Sequence, residues 1–179
     1  MRILGHIAIC SLFVSLLCTV ACTVETEEVT PPRSSKLITG TTYLDGSGHL
    51  EIIDGQDVEL AAGAQGGFHV WLSIRVEGAK GQLFLDREAR RTSDQKLILR
   101  GQKQLIEIPE GESWYQIPDP IPALMCPSPI GIQVFDEEIT FRVSLSNEEE
   151  ETIATDTITL VPRCPTEEHR EFCQSICKG

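Results

Sequence analysis

The stretch Phe68-His69-Val70-Trp71-Leu72-Ser73-Ile74-Arg75-Val76-Glu77 alternates strictly between two sets of side chains. Successive side chains of a β-strand point to opposite faces, so this alternation predicts a strand with one buried face. The first set, which predicts the buried face, consists of Phe68, Val70, Leu72, Ile74 and Val76. The second set, which predicts the outward face, consists of His69, Trp71, Ser73, Arg75 and Glu77.

The same period recurs along the chain and predicts an antiparallel sandwich. Residues 139–145 and 152–161 alternate on either side of a polar turn at 147–151, which predicts a hairpin. Shorter runs between Gly and Asp-Gly turns predict further strands, and no long helical pattern is present. These weaker strands are predicted at 51–53, 58–61, 82–86, 96–99 and 105–108. The sandwich domain is predicted to cover residues 37–163.

Residues 118–129 carry five prolines around Cys126. Because proline has no N–H to donate to a ladder, it is excluded from central strands. The segment is therefore predicted to be a long crossing loop that Cys126 pins to the domain.

Two segments resemble known bacterial proteins. Residues 139–161, with the stretch Thr155-Asp156-Thr157, are similar to the closing hairpin of bacterial immunoglobulin-like domains. Residues 65–72 resemble a segment of uncharacterised bacterial envelope lipoproteins. The resemblance implies an envelope location and an all-β, antiparallel immunoglobulin-like β-sandwich, but it implies no activity because this fold supports many functions.

The N-terminus predicts export. Met1-Arg2 gives a short basic region, and an apolar run at 7–20 precedes small residues, which is the layout of a secretory signal. Thr19-Val20-Ala21-Cys22 resembles a lipobox, which implies cleavage after residue 21 and a lipid on Cys22. Simple cleavage after Ala21 and an uncut signal anchor remain alternatives. Thr23 after the cysteine favours the outer membrane over inner-membrane retention.

Residues 22–36 are polar, include Pro31-Pro32 and show no apolar periodicity, so they predict a tether. The whole chain of 179 residues has a formal net charge of −12. Such an acidic chain is a poor ligand for nucleic acid, whose phosphates would repel it. The predicted membrane contact is therefore the lipid anchor, and the other candidate partners are an envelope protein or a glycan.

Four cysteines lie beyond the tether: Cys126, Cys164, Cys173 and Cys177. In an oxidising compartment an even number predicts two disulfides, and four cysteines allow three connectivities. Cys173 and Cys177 fall in a helix predicted at 167–178, where a bridge between neighbours on one face is awkward. Each is therefore expected to pair outside the helix and to pin the tail, residues 164–179. A metal site built from these cysteines and a histidine is the alternative, although their spacing does not match common zinc sites.

No catalytic constellation is evident, so the chain is predicted not to be an enzyme and to need no cofactor or metal. No Gly-x-Ser-x-Gly elbow occurs in the sequence, and nothing places a pair of carboxylates at catalytic separation.

His69, Trp71 and Arg75 form the candidate binding face, because exposed Trp and Arg are enriched at binding hot spots. The alternative is that a loop or the tail covers Trp71. The predicted function is a non-catalytic envelope lipoprotein that binds a ligand or is structural; a periplasmic metal-binding protein and an envelope hydrolase are the alternatives.

Overall fold

The computed structural model describes residues 35–179. The predicted signal segment (1–21), Cys22 and nearly all of the predicted tether lie outside the described residues. Within them, the predicted fold class is confirmed: two β-sheets pack as a sandwich, and one short helix near the C-terminus is pinned by disulfides. No helix in this part of the chain is long and apolar enough to cross a bilayer.

The strands and the helix follow one another along the chain as a series of mostly short elements. They are β1 (Lys36–Thr41), β2 (Leu50–Glu51), β3 (Gln56–Glu59), β4 (Ala61–Ala62), β5 (Phe68–Glu77), β6 (Gly81–Arg91), β7 (Leu97–Leu99), β8 (Gln104–Ile108), β9 (Trp114–Gln116), β10 (Ile121–Cys126), β11 (Ile139–Ser146), β12 (Thr152–Arg163) and α1 (Arg170–Ile176). β1 begins one residue before the predicted start of the domain, and β5 has the bounds that its alternation predicts.

β5 is the central strand of the first sheet. β1 and β4 pair with one of its edges, β9 and β10 pair with the other, and β2 extends the sheet beyond β1. The second sheet has the order β3-β12-β11-β6-β7, with β8 also on β6. The predicted hairpin is β11 and β12, which pair from Ile139 opposite Leu160. Every strand pair in residues 35–179 is antiparallel except the parallel pair of β3 and β12.

The core lies between the two sheets. Phe68, Val70, Leu72 and the other apolar residues of the predicted inner face of β5 are buried, as are the alternate residues of β11 that begin with Ile139. Burial of a large aliphatic or aromatic side chain stabilises a fold by roughly 1.5–3 kcal/mol. The apolar residues that recur at every second position of β5 and β11 are therefore the residues that build the core.

The prediction of a crossing loop at 118–129 is wrong in its middle part, because Ile121–Cys126 form β10. β10 is an edge strand that pairs only with β5 within the described residues, and Pro122 lies opposite Trp71. A proline is tolerated at an edge because its missing N–H can face the unpaired side. Cys126 does pin the segment, since it is bonded to Cys177.

A side-chain hydrogen bond joins the two sheets at one corner. The backbone N–H of Thr39 on β1 donates to Asp156 Oδ2 on β12 at 2.6 Å. β2 does not reach this part of β1, since its pairing begins at Gly40. The carboxylate thus satisfies a strand N–H that would otherwise have no partner in the sheet.

The C-terminal tail packs against the sandwich through its cysteines. Cys126 bonds to Cys177 and Cys164 bonds to Cys173, so Cys173 and Cys177 each pair outside the predicted helix, as expected. Cys173 lies in α1, and Cys177 is its C-cap. The helix is shorter than the predicted 167–178. Backbone hydrogen bonds from Ser128 to Ile176 and from Val134 to Cys177 add to this attachment.

Candidate ligand-binding groove

The predicted binding residues lie on the outward face of β5, but this face is largely covered. His69 is only 7% exposed and Ser73 is buried, whereas Trp71 and Arg75 are half-buried. The turn between β1 and β2 packs over the indole: a Cβ added to Gly46 would lie 3.7 Å from Trp71 Cε2 and 3.3 Å from Pro120 Cγ. The geometry therefore follows the alternative in which a loop covers Trp71, and the role of these residues in binding stays a prediction.

The covering turn is ordered by its own hydrogen bonds. The N–H of Tyr43 donates to the carbonyl of Ser47, and the N–H of Ser47 donates to the Asp45 carboxylate at 2.9 Å. The hydrogen bonds with Ser47 hold the pKa of Asp45 below its usual range. Gly46 and Gly48 both have positive φ, which side chains rarely adopt. This is why the sequence Asp45-Gly46-Ser47-Gly48 folds back over the sheet.

His49 follows this turn and lies against the first sheet. Its Nδ1 is 2.9 Å from Ser73 Oγ, and a Cβ added to Gly40 would lie 2.7 Å from His49 Cε1. The close approach of the imidazole thus requires a glycine at position 40. Burial, and then the positive charge of Arg75, lower the pKa of His49, while Glu51 acts in the opposite direction.

Arg75 is held by its neighbours on β9. Its Nε donates to Gln116 Oε1 at 3.2 Å, and its guanidinium lies 5.5 Å from the centre of the Trp114 ring. A guanidinium over an indole at this distance is a cation–π contact. Arg75 therefore belongs to a polar cluster beside Trp114 and is not a free cation on an open surface.

Three aromatic ring nitrogens on this face are buried without a hydrogen-bond partner in the described residues. They are His49 Nε2, His69 Nε2 and Trp71 Nε1. The His69 and Trp71 rings meet edge to face at 4.3 Å between centroids, and burial lowers the pKa of His69. Most buried polar atoms of a folded protein have a hydrogen-bond partner. The other buried side-chain atoms without one in the described residues are Thr39 Oγ1 and Arg87 Nε.

A groove of about 280 Å³ runs beside Trp71, between β3 and the turn that follows β1. We call it the Trp71 groove. Its lining combines aromatic and aliphatic surface with hydroxyl, amide and carboxylate groups, namely Thr41, Thr42, Tyr43, Leu44, Leu50, Gln56, Asp57, Val58, Glu59 and Trp71. Tyr43 and Leu44 are 58% and 57% exposed. Apolar walls with a few convergent polar groups are the usual composition of a ligand site.

Of the predicted face residues, only Trp71 lines the groove; His69 and Arg75 lie elsewhere on the same strand. Sequence reasoning missed Tyr43, Leu44, Asp57 and Glu59, because they come from a turn and from another sheet. The one local signal was the exposed aromatic and aliphatic pair Tyr43-Leu44 directly before a Gly-rich turn.

The cysteines form a compact sulfur cluster. The sulfurs of Cys164, Cys173 and Cys177 lie within 4.8 Å of one another. All three belong to disulfides, and a metal ligand must be a thiolate. The metal-binding alternative therefore requires reduction of both disulfides before these sulfurs can act as ligands.

Comparison with known proteins gives no identification. No protein-family model matches the chain, and no curated protein matches it. Among solved structures, a β-glucuronidase from Bacteroides uniformis matches 70% of this chain with 17% identity and a TM-score of 0.37. The chain spans 14% of the length of that enzyme.

Proposed function

We propose that this chain is a non-catalytic cell-envelope lipoprotein whose β-sandwich binds a ligand in the Trp71 groove. The observation that carries the binding part is the groove itself, where the exposed side chains of Tyr43 and Leu44 stand beside Trp71 and two carboxylates. Exposed aromatic residues beside polar groups provide both contact area and orientation for a ligand.

The envelope part of the proposal rests on the sequence and on the disulfides. The apolar segment at 7–20 and Cys22 supply the export signal and the anchor. Two disulfides in one small domain suit an oxidising compartment outside the cytoplasm. The tether would hold the sandwich away from the membrane, with the groove accessible to an envelope protein or a glycan.

The test of binding uses Trp71 as the reporter. The chain has two tryptophans, so Trp114→Phe leaves Trp71 as the sole indole. This variant is titrated with short peptides of both charge signs and with soluble cell-wall oligosaccharides, while emission is recorded. The proposal predicts that one of these classes shifts the emission of Trp71 and saturates.

A matched pair of variants locates the binding. Tyr43→Ala removes an exposed aromatic ring from the groove, and Leu105→Ala removes an equally exposed side chain from the second sheet. Tyr43→Ala should weaken binding by about tenfold, the loss typical of a contact residue at a hot spot. Leu105→Ala should leave it unchanged. Equal effects of the two variants, or no emission change with any probe, would contradict the proposal.

A further inference from the structure

β3 is an edge strand along one wall of the Trp71 groove. Within residues 35–179 it pairs only with β12, in parallel, from Gln56 opposite Leu160 to Glu59 opposite Arg163. The other edge of β3 has no strand partner in this part of the chain. Such an edge presents N–H and C=O groups that can pair with an incoming strand.

The register identifies which backbone groups of β3 are available. The N–H of Leu60 donates to the carbonyl of Arg163. Val58 lies opposite Pro162, which has no N–H to donate. The N–H groups that β12 contributes to this part of the ladder are therefore those of Val161 and Arg163, on either side of Pro162. Alternate residues of a strand point their backbone groups to the same side, so Val58 and Leu60 face β12. The N–H and C=O groups of Asp57 and Glu59 therefore face the groove side.

We propose that an extended, basic polypeptide segment of a partner protein adds to this free edge of β3. This inference rests on the proposed function and names the ligand class of the same groove. The four residues of β3 span about 13 Å, which suits pairing with a short extended segment. An alternate side chain of that segment would enter the groove against Tyr43, Leu44 and Trp71.

The charge of the groove selects a basic partner. Its lining includes the carboxylates of Asp57 and Glu59 and no basic residue. Arg163 lies 2.9 Å from Asp57, whereas Glu59 has no ion-pair partner within the described residues. Lys or Arg side chains on the incoming strand would stand beside these carboxylates.

The same charges argue against a second copy of the chain as the occupant. Two β3 strands pairing edge to edge would bring Asp57 and Glu59 of one copy beside those of the other. Like charges placed opposite each other on neighbouring strands destabilise the pairing. β3 also carries no lysine or proline, the residues that commonly block an edge. The carboxylates of β3 therefore disfavour pairing with a second β3 and leave the edge available to a basic strand.

The experiment uses an acetylated and amidated Lys-Val-Lys-Val-Lys-Val peptide with the Trp114→Phe chain. Binding is followed by Trp71 emission and by calorimetry, and the matched acidic peptide has Glu in place of Lys. Two further peptides are N-methylated, one at the valines and one at the lysines. Because alternate N–H groups of a strand point to one side, only one methylated set should lose affinity, by at least about tenfold.

Variants of the chain test the edge directly. Asp57→Pro removes the N–H that faces the groove, whereas Asp57→Ala removes the same carboxylate and keeps the N–H. Asp57→Pro should bind at least about tenfold more weakly than Asp57→Ala, with thermal unfolding used to verify the fold of both. Glu59→Gln should weaken binding about threefold, and Glu107→Gln, a charge loss on β8, should have no such effect.

Several outcomes would overturn the inference. Equal affinity for both methylated peptides would show electrostatic adhesion without strand pairing, and this result does not depend on whether Asp57→Pro folds. Equal affinity for the acidic and the basic peptide would contradict the proposal that the partner segment is basic. A dimer that dissociates in Asp57→Pro would make a second copy the occupant. If an oligosaccharide shifts Trp71 emission and no peptide does, the strand-pairing inference fails while the proposed binding function stands.

Discussion

His69 is a buried imidazole on a strand where the pattern predicts an outward side chain. Its ring stands edge-on to Trp71, its Nε2 has no partner in residues 35–179, and only 7% of the residue is exposed. Burial disfavours the imidazolium, so the pKa of His69 lies below its ordinary value of about 6.5.

This burial predicts an acid-sensitive stability. As the pH falls through about 6.5, the unfolded chain binds a proton at residue 69 more readily than the folded chain does, so the free energy of unfolding falls as the pH decreases. Above that pH the imidazole is neutral in both states, so His69 adds no further pH dependence to the free energy of unfolding. Urea unfolding between pH 8 and pH 5 should show this loss, and His69→Gln should make the dependence shallower. His49, whose pKa is also lowered, contributes with the same sign.

The reference for that measurement is the parent chain itself, unfolded in urea over the same range from pH 8 to pH 5. An unchanged slope in His69→Gln would contradict this prediction and show that the imidazole of His69 stays solvated in the folded chain.

Arg87 is a charged side chain placed among core residues of β6. It is 7% exposed, and within residues 35–179 its guanidinium donates only to the amide oxygens of Gln102 and Gln104, at 3.3 and 3.4 Å. Its Nε has no partner within the described residues. Burial lowers the pKa of Arg87, and the charge of Asp86 opposes this effect. The guanidinium is therefore desolvated without a directly bonded carboxylate.

Replacing this guanidinium with an apolar side chain of similar length should not destabilise the fold. We expect Arg87→Met to leave the free energy of unfolding unchanged or to raise it by about 1 kcal/mol, since the desolvation cost disappears. Chemical denaturation measures the difference, with the exposed Arg142→Met on β11 as the control. A loss of more than about 2 kcal/mol would mean that the glutamine contacts outweigh the desolvation of the guanidinium.

At the scale of elements, the two disulfides close loops of different length. Cys126 and Cys177 are 51 residues apart, and Cys164 and Cys173 are 9 apart. A crosslink that closes a longer loop removes more entropy from the unfolded chain, which gives about 4 kcal/mol for the first bridge and about 2.5 kcal/mol for the second. Cys126→Ala/Cys177→Ala should therefore lower the melting temperature more than Cys164→Ala/Cys173→Ala. The reverse order would show that native-state contacts, and not loop closure, dominate.

The sequence was informative about elements where the signal is local. Alternation along one strand gave the bounds of β5 and the hairpin of β11 and β12, because the core imposes a period of two on each strand separately. It misled at β10, where prolines suggested a loop. An edge strand tolerates Pro122, and whether a strand lies at an edge depends on the order of strands in the sheet.

The candidate site could not be predicted because it is assembled from distant parts of the chain. The pattern placed Trp71 on the outward face of its sheet, but the turn that contains Gly46 packs over the indole. The opposite wall of the groove comes from β3, which belongs to the second sheet. Likewise, four cysteines predicted two bridges, while the actual pairing depends on where the tail meets β10. Such contacts carry no periodic signal in the sequence.

At the scale of the whole molecule, the groove lies where the margins of the two sheets come together. β2 ends the first sheet and β3 ends the second, and both contribute to the lining. Two residues before Thr41, which lines the groove, the N–H of Thr39 donates to Asp156 and so joins the two sheets. The proposed ligand would therefore contact the margins of both sheets and leave the core between them in place.

The anchor predicted at Cys22 would determine where this groove is displayed. We expect protein extracted from its native membrane, and alkylated without reduction, to have the mass of residues 22–179 plus lipid and no alkylated thiol. Cys22→Ala should then move the protein out of the membrane fraction, because the acyl chains provide the attachment. Cys18→Ala, a change inside the apolar run, is the matched control and should leave fractionation unchanged. A mass without lipid would indicate simple secretion instead of a lipid anchor. Alkylated thiols would show that at least one of the two disulfides is absent in the envelope.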